Sequence, residues 1–172
     1  MFEPENAQNE IQFLNRYHGQ VRTWDSMELF IPPTVYPPRE DTDLLNEVLK
    51  SIPPFATKNL LEIGSGSGAL SINAAKFGWN VDACDINPFA VAATRHNATG
   101  EGVEVTVKEG GIGPQNENSY AWQPGVYDVV LWNMPYIPAD EIGDQLLGPL
   151  EEAAFIDTHP VSYTHLTLPT MS

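Results

Sequence analysis

The sequence predicts an α/β fold with a parallel sheet whose ligands sit at the carboxyl ends of its strands, and three observations carry that prediction. An apolar run, Leu60-Leu61-Glu62-Ile63, leads directly into Gly64-Ser65-Gly66-Ser67-Gly68, with glycine at every second position. Strand-like apolar segments alternate with helical, small-residue segments from Asn59 to Trp132, the pattern of crossover connections. Asp85 closes the second such strand about 20 residues after the first glycine, the interval at which a carboxylate reaches both ribose hydroxyls of a nucleotide cofactor.

Composition sets the outer bounds. With 172 residues and 42% hydrophobic content the chain is the size of one domain with a real core. No apolar run approaches the roughly 20 residues of a membrane span. The start Met1-Phe2-Glu3-Pro4-Glu5 lacks the basic and apolar regions of a signal peptide, so a cytoplasmic protein with no membrane partner is expected. The single cysteine, Cys84, precludes an internal disulfide and reads as a small core residue within a strand. His18, His96, His159 and His165 show no metal spacing, and no metal is expected. Acids outnumber bases 23 to 8, and neither Lys nor Arg follows Lys108, so the chain repels phosphate backbones and a protein substrate or basic partner gains weight.

In chain order, residues 1–30 are polar with scattered aromatics (Phe13, Tyr17, Trp24, Phe30) and read as an irregular or partly helical N-terminal arm. Pro32, Pro33, Pro37 and Pro38 then hold the backbone extended up to a helix start at Asp41 or Thr42, followed by a helix with Leu44, Leu45, Val48 and Leu49 on one face. A proline-containing loop over 51–58 precedes the first strand, Asn59 to Ile63. The helix after the glycines carries Leu70, Ile72, Ala74, Ala75 and Phe77 and stops near Gly78. The second strand covers 81–86, and Asn87-Pro88 supplies an N-cap and a proline at the first position of a helix running to about Thr99. A third strand is expected over 103–108, a polar loop over 115–125, and a fourth, buried strand over 127–132.

The glycines let the backbone turn tightly out of a strand and lie flat against a ligand while a helix begins. Because Gly64-x-Gly66-x-x-Ala69 also satisfies the dinucleotide fingerprint, the glycines alone do not separate NAD from another adenosine cofactor. Glu62 favours a ligand with a cationic amino group over a pyrophosphate, which it would repel, although a solvated strand end is the plainer reading of that acid. Asp85 likewise fits either a ribose contact or a favourable charge at a helix start. The fourth strand delivers Asn133-Met134-Pro135-Tyr136 to the same sheet edge. Methyl transfer to an amide or exocyclic amine nitrogen requires acceptors that free its lone pair from resonance. The Asn133 side-chain oxygen and the Met134 carbonyl suit the two N–H groups, Pro135 stiffens the turn, and the Tyr136 ring suits stacking on the planar group.

The glycine stretch resembles motif I of the class I S-adenosylmethionine-dependent methyltransferases. Tyr36, Pro38, Glu40, Asp41 and Thr42 match the Tyr-x-Pro-x-Glu-Asp-Thr segment of HemK-type methyltransferases, particularly their archaeal and eukaryotic branch, and residues 133–136 resemble the Asn-Pro-Pro-Tyr motif of enzymes that methylate planar nitrogen. Met134 replaces that motif's first proline, and Gly110 and Gly111 stand where relatives usually place an acid for the adenine, which leaves backbone or Glu109 for that contact. The resemblance, over residue 34 to about 157, implies a Rossmann-like class I methyltransferase sheet and S-adenosyl-L-methionine as cofactor. Its cofactor-binding residues would be Tyr36, Thr42, Glu62, Gly64, Gly66, Gly68, Asp85 and Asn133, and its catalytic residues Asn133, Met134, Pro135 and Tyr136. It further implies methylation of a glutamine side-chain amide in a translation release factor, with a small zinc-containing activator subunit as partner.

Two other readings stay open: methylation of a base amino nitrogen in RNA or DNA, and a non-catalytic cofactor-binding subunit. A class I sheet has seven strands, of which four are legible here, so residues 31–160 are read as an incomplete methyltransferase domain from the front of a longer gene. Residues 161–172 carry no charge, an abrupt change from the acidic chain before them, and are read as a non-native tail.

Overall fold

The computed structural model describes residues 19–52, 58–111, 125–135, 137–138 and 156–157. In chain order the elements are β1 (Gln20–Trp24), β2 (Met27–Ile31), α1 (Glu40–Ser51), β3 (Asn59–Ile63), α2 (Ala69–Lys76), β4 (Asn80–Asp85), α3 (Pro88–Gly100), β5 (Thr106–Glu109), β6 (Val129–Trp132), β7 (Ile137–Pro138) and β8 (Ile156–Asp157). The central sheet has the order β5-β4-β3-β6 with every pair parallel, as strands joined by helical crossovers require. The chain moves outward from β3 through β4 to β5 and then returns to β6 on the other side of β3. The carboxyl ends of β3 and β6 therefore meet at a topological switch point, where open α/β sheets place their ligands.

Register assigns each side chain to a face. Leu60, Val81 and Val129 lie side by side, and two residues on Glu62, Ala83 and Leu131 do the same. Leu60, Val81 and Leu131 pack with Leu49 of α1 and with Leu70 and Ala74 of α2, while Ala83 and Val107 pack with Val91 of α3. All three helices thus cover the face that also carries Glu62. The opposite face presents Leu61, Ile63 and the buried Cys84, packed with Tyr127 and Trp132. Burying a leucine as fully as Leu60 stabilises by about 1.5–3 kcal/mol, so this layer anchors the sheet.

The helix ends follow from local chemistry. The Asn87 side chain accepts from Phe89 N at 2.9 Å with Pro88 at the first position, the cap expected from Asn-Pro. At the far end of α2, Gly78 adopts φ 98° and its N–H donates to Ala75 O at 3.0 Å, which stops the helix as expected. Helix α1 starts at Glu40 rather than at Asp41 or Thr42, because the Thr42 hydroxyl accepts from Arg39 N at 3.3 Å and caps the turn from three residues inside it. Its inward face also differs from the expected one: Leu49 is buried and Leu45 partly so, but Leu44 and Val48 are 67% and 47% exposed, and Thr42 and Asn46 are buried instead.

The source of that exchange is the hairpin β1-β2, which from Gln20 onward takes the place of the irregular or partly helical arm expected over residues 1–30. Its turn is Asp25-Ser26 with φ 43° and 66°, and positive φ at both central residues matches the twist of the flanking strands. Met27, Leu29 and Ile31 are fully buried while Glu28 and Phe30 point outward. Asp25 Oδ2 accepts from Asn46 Nδ2 of α1 at 2.9 Å and from Asn73 Nδ2 of α2 at 2.6 Å, and Trp24 Nε1 donates to Asp43 Oδ1 at 2.7 Å. Asn46 turns inward because the hairpin supplies its partner, while the buried Thr42 finds its partners at Arg39 N and Asp41. The bonds from Asn46 first, then from Asn73, with Lys50 nearby, hold the Asp25 carboxyl below its usual range against the opposing effect of burial.

Strands β4, β5 and β6 begin or end a few residues from their expected bounds, while β3 matches them. The chain divides into two units, Tyr17–Asn133 and a second built from Met1–Arg16 with Met134–Ser172. In the second, β7 pairs with β8 in parallel. Tyr136, the polar loop over 115–124, the tail over 161–172 and residues 1–18 lie outside the described residues, as do His18, His159 and His165. Among the described residues no helix is long and apolar enough to cross a membrane.

Glycine at position 68 is required twice over. It has φ +82°, and a Cβ there would lie 2.9 Å from Thr94 Cγ2 and 3.1 Å from Thr94 Cα. Gly68→Ala is expected to destabilise the chain by about 1–3 kcal/mol. Gly100→Ala, at the end of α3 with nothing within 4 Å, should be neutral or stabilising by up to about 1 kcal/mol. Urea unfolding of the two variants checks both signs.

Candidate active site

The glycine loop is fastened to the end of β4. Gly64 N and Ser65 N donate to Cys84 O at 2.8 and 3.1 Å, and Gly66 N donates to Asp85 Oδ2 at 2.8 Å. The other oxygen, Asp85 Oδ1, accepts from Asn87 N at 2.9 Å. Both carboxylate oxygens are thus engaged by backbone N–H groups, which fixes the plane of the carboxylate. Burial pushes the Asp85 carboxyl up, and the N–H groups of Asn87, Gly66 and Ile86 only partly offset it. From the other side α3 grips the loop: Thr94 Oγ1 donates to Gly66 O at 3.2 Å and lies 3.0 Å from Ser65 Oγ, and Asn97 Nδ2 donates to Ser67 O at 2.8 Å.

The proline-rich segment before α1 lies over this loop. Asn87 Nδ2 donates to Thr34 O at 3.0 Å, and a Cβ at Gly66 would lie 3.8 Å from Val35 Cγ1 and 4.0 Å from Tyr36 O. A Cβ at Gly64 would lie 3.9 Å from Trp132 Nε1 of β6, so the two strand ends of the switch point are neighbours. Thr42 is buried with its hydroxyl between Arg39 N and Asp41 Oδ1, and Gly68 meets Thr94.

Glu62 is not a solvated strand end: it is 3% exposed beneath α2, with Ser71 Oγ donating to its Oε2. Burial pushes its carboxyl up to about 8; the Ser71 hydroxyl and backbone pull it down, and the nearby Asp85 charge raises it further. Among the described residues no Lys or Arg is in ion-pair contact with Glu62 or Asp85. Two carboxyl groups without a basic neighbour would repel the pyrophosphate of a dinucleotide and attract a cationic ligand group.

Asn133 follows β6 directly, half-buried, and its Nδ2 donates to Asp41 Oδ2 at 3.0 Å. Met134 and Pro135 are half-buried and belong to the second unit. Sequence reading missed Asp41 as a partner of this motif, as it missed Thr94 and Ile86. Ile86 is 53% exposed immediately after Asp85, with Gly111 beside it, and Gly110 N donates to Asp85 O at 2.9 Å. An apolar residue next to the ribose-spaced acid was the available signal for a surface on which a flat ring could lie. Glu109 is solvent-exposed at the end of β5.

The Glu62 carboxyl sets a pH dependence with a definite sign. Its value rises from 4.5 to about 8 on folding, so the folded chain holds a proton that the unfolded chain releases. Stability therefore falls as pH rises through that window, by a total on the order of 5 kcal/mol. Glu62→Gln keeps an acceptor for Ser71 without the charge. It should flatten the difference between urea midpoints at pH 5 and pH 8 and raise stability at the higher pH. An unchanged slope would place the proton elsewhere.

The methyltransferase small domain family matches residues 39–154. A protein of Methanocaldococcus jannaschii named as an N5-glutamine methyltransferase is 36% identical over 118 residues, covering 68% of this chain and 55% of that one. The release factor glutamine methyltransferase of Streptococcus pneumoniae is 28% identical over 67% of this chain and 39% of its own. The ribosomal protein L11 methyltransferase of a Nitratiruptor species is 31% identical over 72% and 48% respectively. The chain thus spans about half the length, or less, of these relatives. The family's cofactor is S-adenosyl-L-methionine, and the residues present fit it. Its cationic sulfonium and ammonium suit the buried Glu62 carboxyl, which lacks a positive partner among the described residues, and its ribose suits Asp85. A parallel sheet, a glycine loop clasped to its neighbouring strand and a family match over residues 39–154 together make this chain a member of the methyltransferase small domain family, of the HemK-type class I S-adenosylmethionine-dependent methyltransferases.

Proposed function

We propose that the protein methylates a planar nitrogen, and that its substrate is the side-chain amide of a glutamine in a translation release factor. The observation that carries this reading is the juxtaposition at the switch point: Asn133 leaves β6 beside the glycine loop that leaves β3, with Trp132 against Gly64. Bound S-adenosylmethionine supplies an electrophilic methyl group on a positively charged sulfur. Glu62 and Asp85 hold the donor by its ammonium and ribose, and Gly64 and Gly66 let it lie close to the backbone. Tyr36 and Thr42 belong to the segment that roofs this region. Asn133 Oδ1 and the Met134 carbonyl accept the two N–H groups of the target amide, which turns its lone pair toward the methyl carbon. Pro135 keeps that carbonyl in place and the Tyr136 ring stacks on the amide plane. When bound, the donor would supply the methyl group and its sulfur would take up the electron pair of the carbon–sulfur bond, while the acceptors at Asn133 and Met134 would leave one amide proton to pass to solvent.

The net charge of −15 favours a protein substrate over a nucleic acid, and the names of the M. jannaschii and S. pneumoniae relatives point the same way. A small zinc-containing activator subunit belongs to this proposal as a partner that supports turnover.

Incubating a full-length version, with the remaining domain restored, with labelled S-adenosylmethionine and separate release-factor and RNA fractions separates the readings. Label on a release-factor glutamine is expected; label on RNA would favour base methylation, and cofactor binding with no transfer would favour a non-catalytic subunit. Asp85→Ala should weaken S-adenosylmethionine binding by about 1–3 kcal/mol in calorimetry, the scale of lost charge-assisted hydrogen bonds. Asn133→Ala should abolish transfer while leaving cofactor affinity within a few fold. Near wild-type turnover in that variant would sink the planar-nitrogen mechanism.

A further inference from the structure

We propose that Asp41 is a positioning residue that fixes the polarity of the Asn133 amide, so that its oxygen and not its NH2 faces the acceptor nitrogen. The proposal deepens the planar-nitrogen reading above and rests on it. Asn133 Nδ2 donates to Asp41 Oδ2 at 3.0 Å, joining the first turn of α1 to the end of β6. A carboxylate only accepts hydrogen bonds, so the half of the amide turned toward it is the NH2, and Oδ1 occupies the opposite branch of the same plane. Asp41 is itself held in place. Its Oδ1 accepts from Thr42 N at 2.7 Å and from the Thr42 hydroxyl at 3.2 Å, and it sits at a helix N-terminus, where a carboxylate is favoured. An unrestrained asparagine amide has two orientations of similar shape, one of which presents donors to the donors of the substrate. Asp41 removes that one, and the site becomes selective for groups that bring N–H rather than lone pairs.

Replacing Asp41 by asparagine inverts the arrangement. Residue 41 must keep its oxygen on the Thr42 N–H, so its own NH2 faces Asn133, which then turns its oxygen inward and its NH2 toward the substrate. The probes are a short peptide containing glutamine and the same peptide with glutamate in its place, each bound to the full chain in the presence of S-adenosylhomocysteine. The wild type should prefer the glutamine peptide. Asp41→Asn should shift that preference toward glutamate by about tenfold more than Asp41→Ala, which removes the same charge without dictating the amide. Asp41→Glu, still acceptor-only, should keep the preference for glutamine. In nitrogen-15 spectra of the free chain the Asn133 side-chain NH2 resonances should move in Asp41→Asn and stay in place in Asp43→Asn, whose carboxylate bonds Trp24.

Equal shifts of preference in the Asn and Ala variants, or Asn133 resonances indifferent to Asp41→Asn, overturn the proposal. A wild type that binds neither peptide removes the planar-nitrogen reading, and the resonances then decide the orientation alone.

Discussion

The close approach of α3 to the glycine loop is the constraint on which the rest of the first unit depends. With no Cβ at Gly68, the α3 backbone comes near enough for Thr94 to reach Gly66 O and Ser65 Oγ, and for Asn97 to reach Ser67 O. Asn97 does more than hold the loop. Its amide also exchanges hydrogen bonds with Phe30 N and Phe30 O, both at 2.9 Å, and so acts as a strand partner for the edge of β2. One helix thereby fixes the shape of the loop and the seat of the hairpin. A loop gripped from α3 on one side and by Cys84 and Asp85 on the other needs little reorganisation to receive a ligand, which is what rapid, specific chemistry requires of its scaffold.

Legibility in the sequence followed the range of the interactions. The bounds of β3 and the cap of α3 were readable because their determinants are adjacent in the chain: an apolar run broken by glycines, and Asn87 before Pro88. The hairpin was not read, although Met27, Leu29 and Ile31 alternate as a half-buried strand should, because its turn is Asp25-Ser26 and lacks the glycine that usually marks two positive-φ residues. Missing the hairpin led to the wrong face for α1. Leu44 and Val48 look like core residues by type alone, and Asn46 looks like a surface one, until Asp25 is known to wait for its amide from a turn 21 residues earlier.

The same rule divides the site. Glycine spacing and the interval to Asp85 are local patterns, and they fall at the carboxyl ends of the adjacent parallel strands β3 and β4. That Glu62 is buried depends on α2 folding back across β3, and the pairing of Asp41 with Asn133 spans 92 positions, so no window of sequence contains either fact. Motif resemblance named the two segments separately. Only the fold shows that a carboxylate of one addresses the amide of the other.

Burying Glu62 next to Asp85 works against stability, since burial makes both acids harder to charge and the Asp85 charge adds to the difficulty for Glu62. A structure that merely had to be stable would place apolar side chains there, as it does at Leu60 and Val81 on the same face. The two acids make physical sense in a site that is completed by positive charge. In the proposed reaction the ammonium and ribose that they hold are common to the donor and to what remains after transfer, so these two residues contribute to binding and leave the discrimination between the two states to other groups.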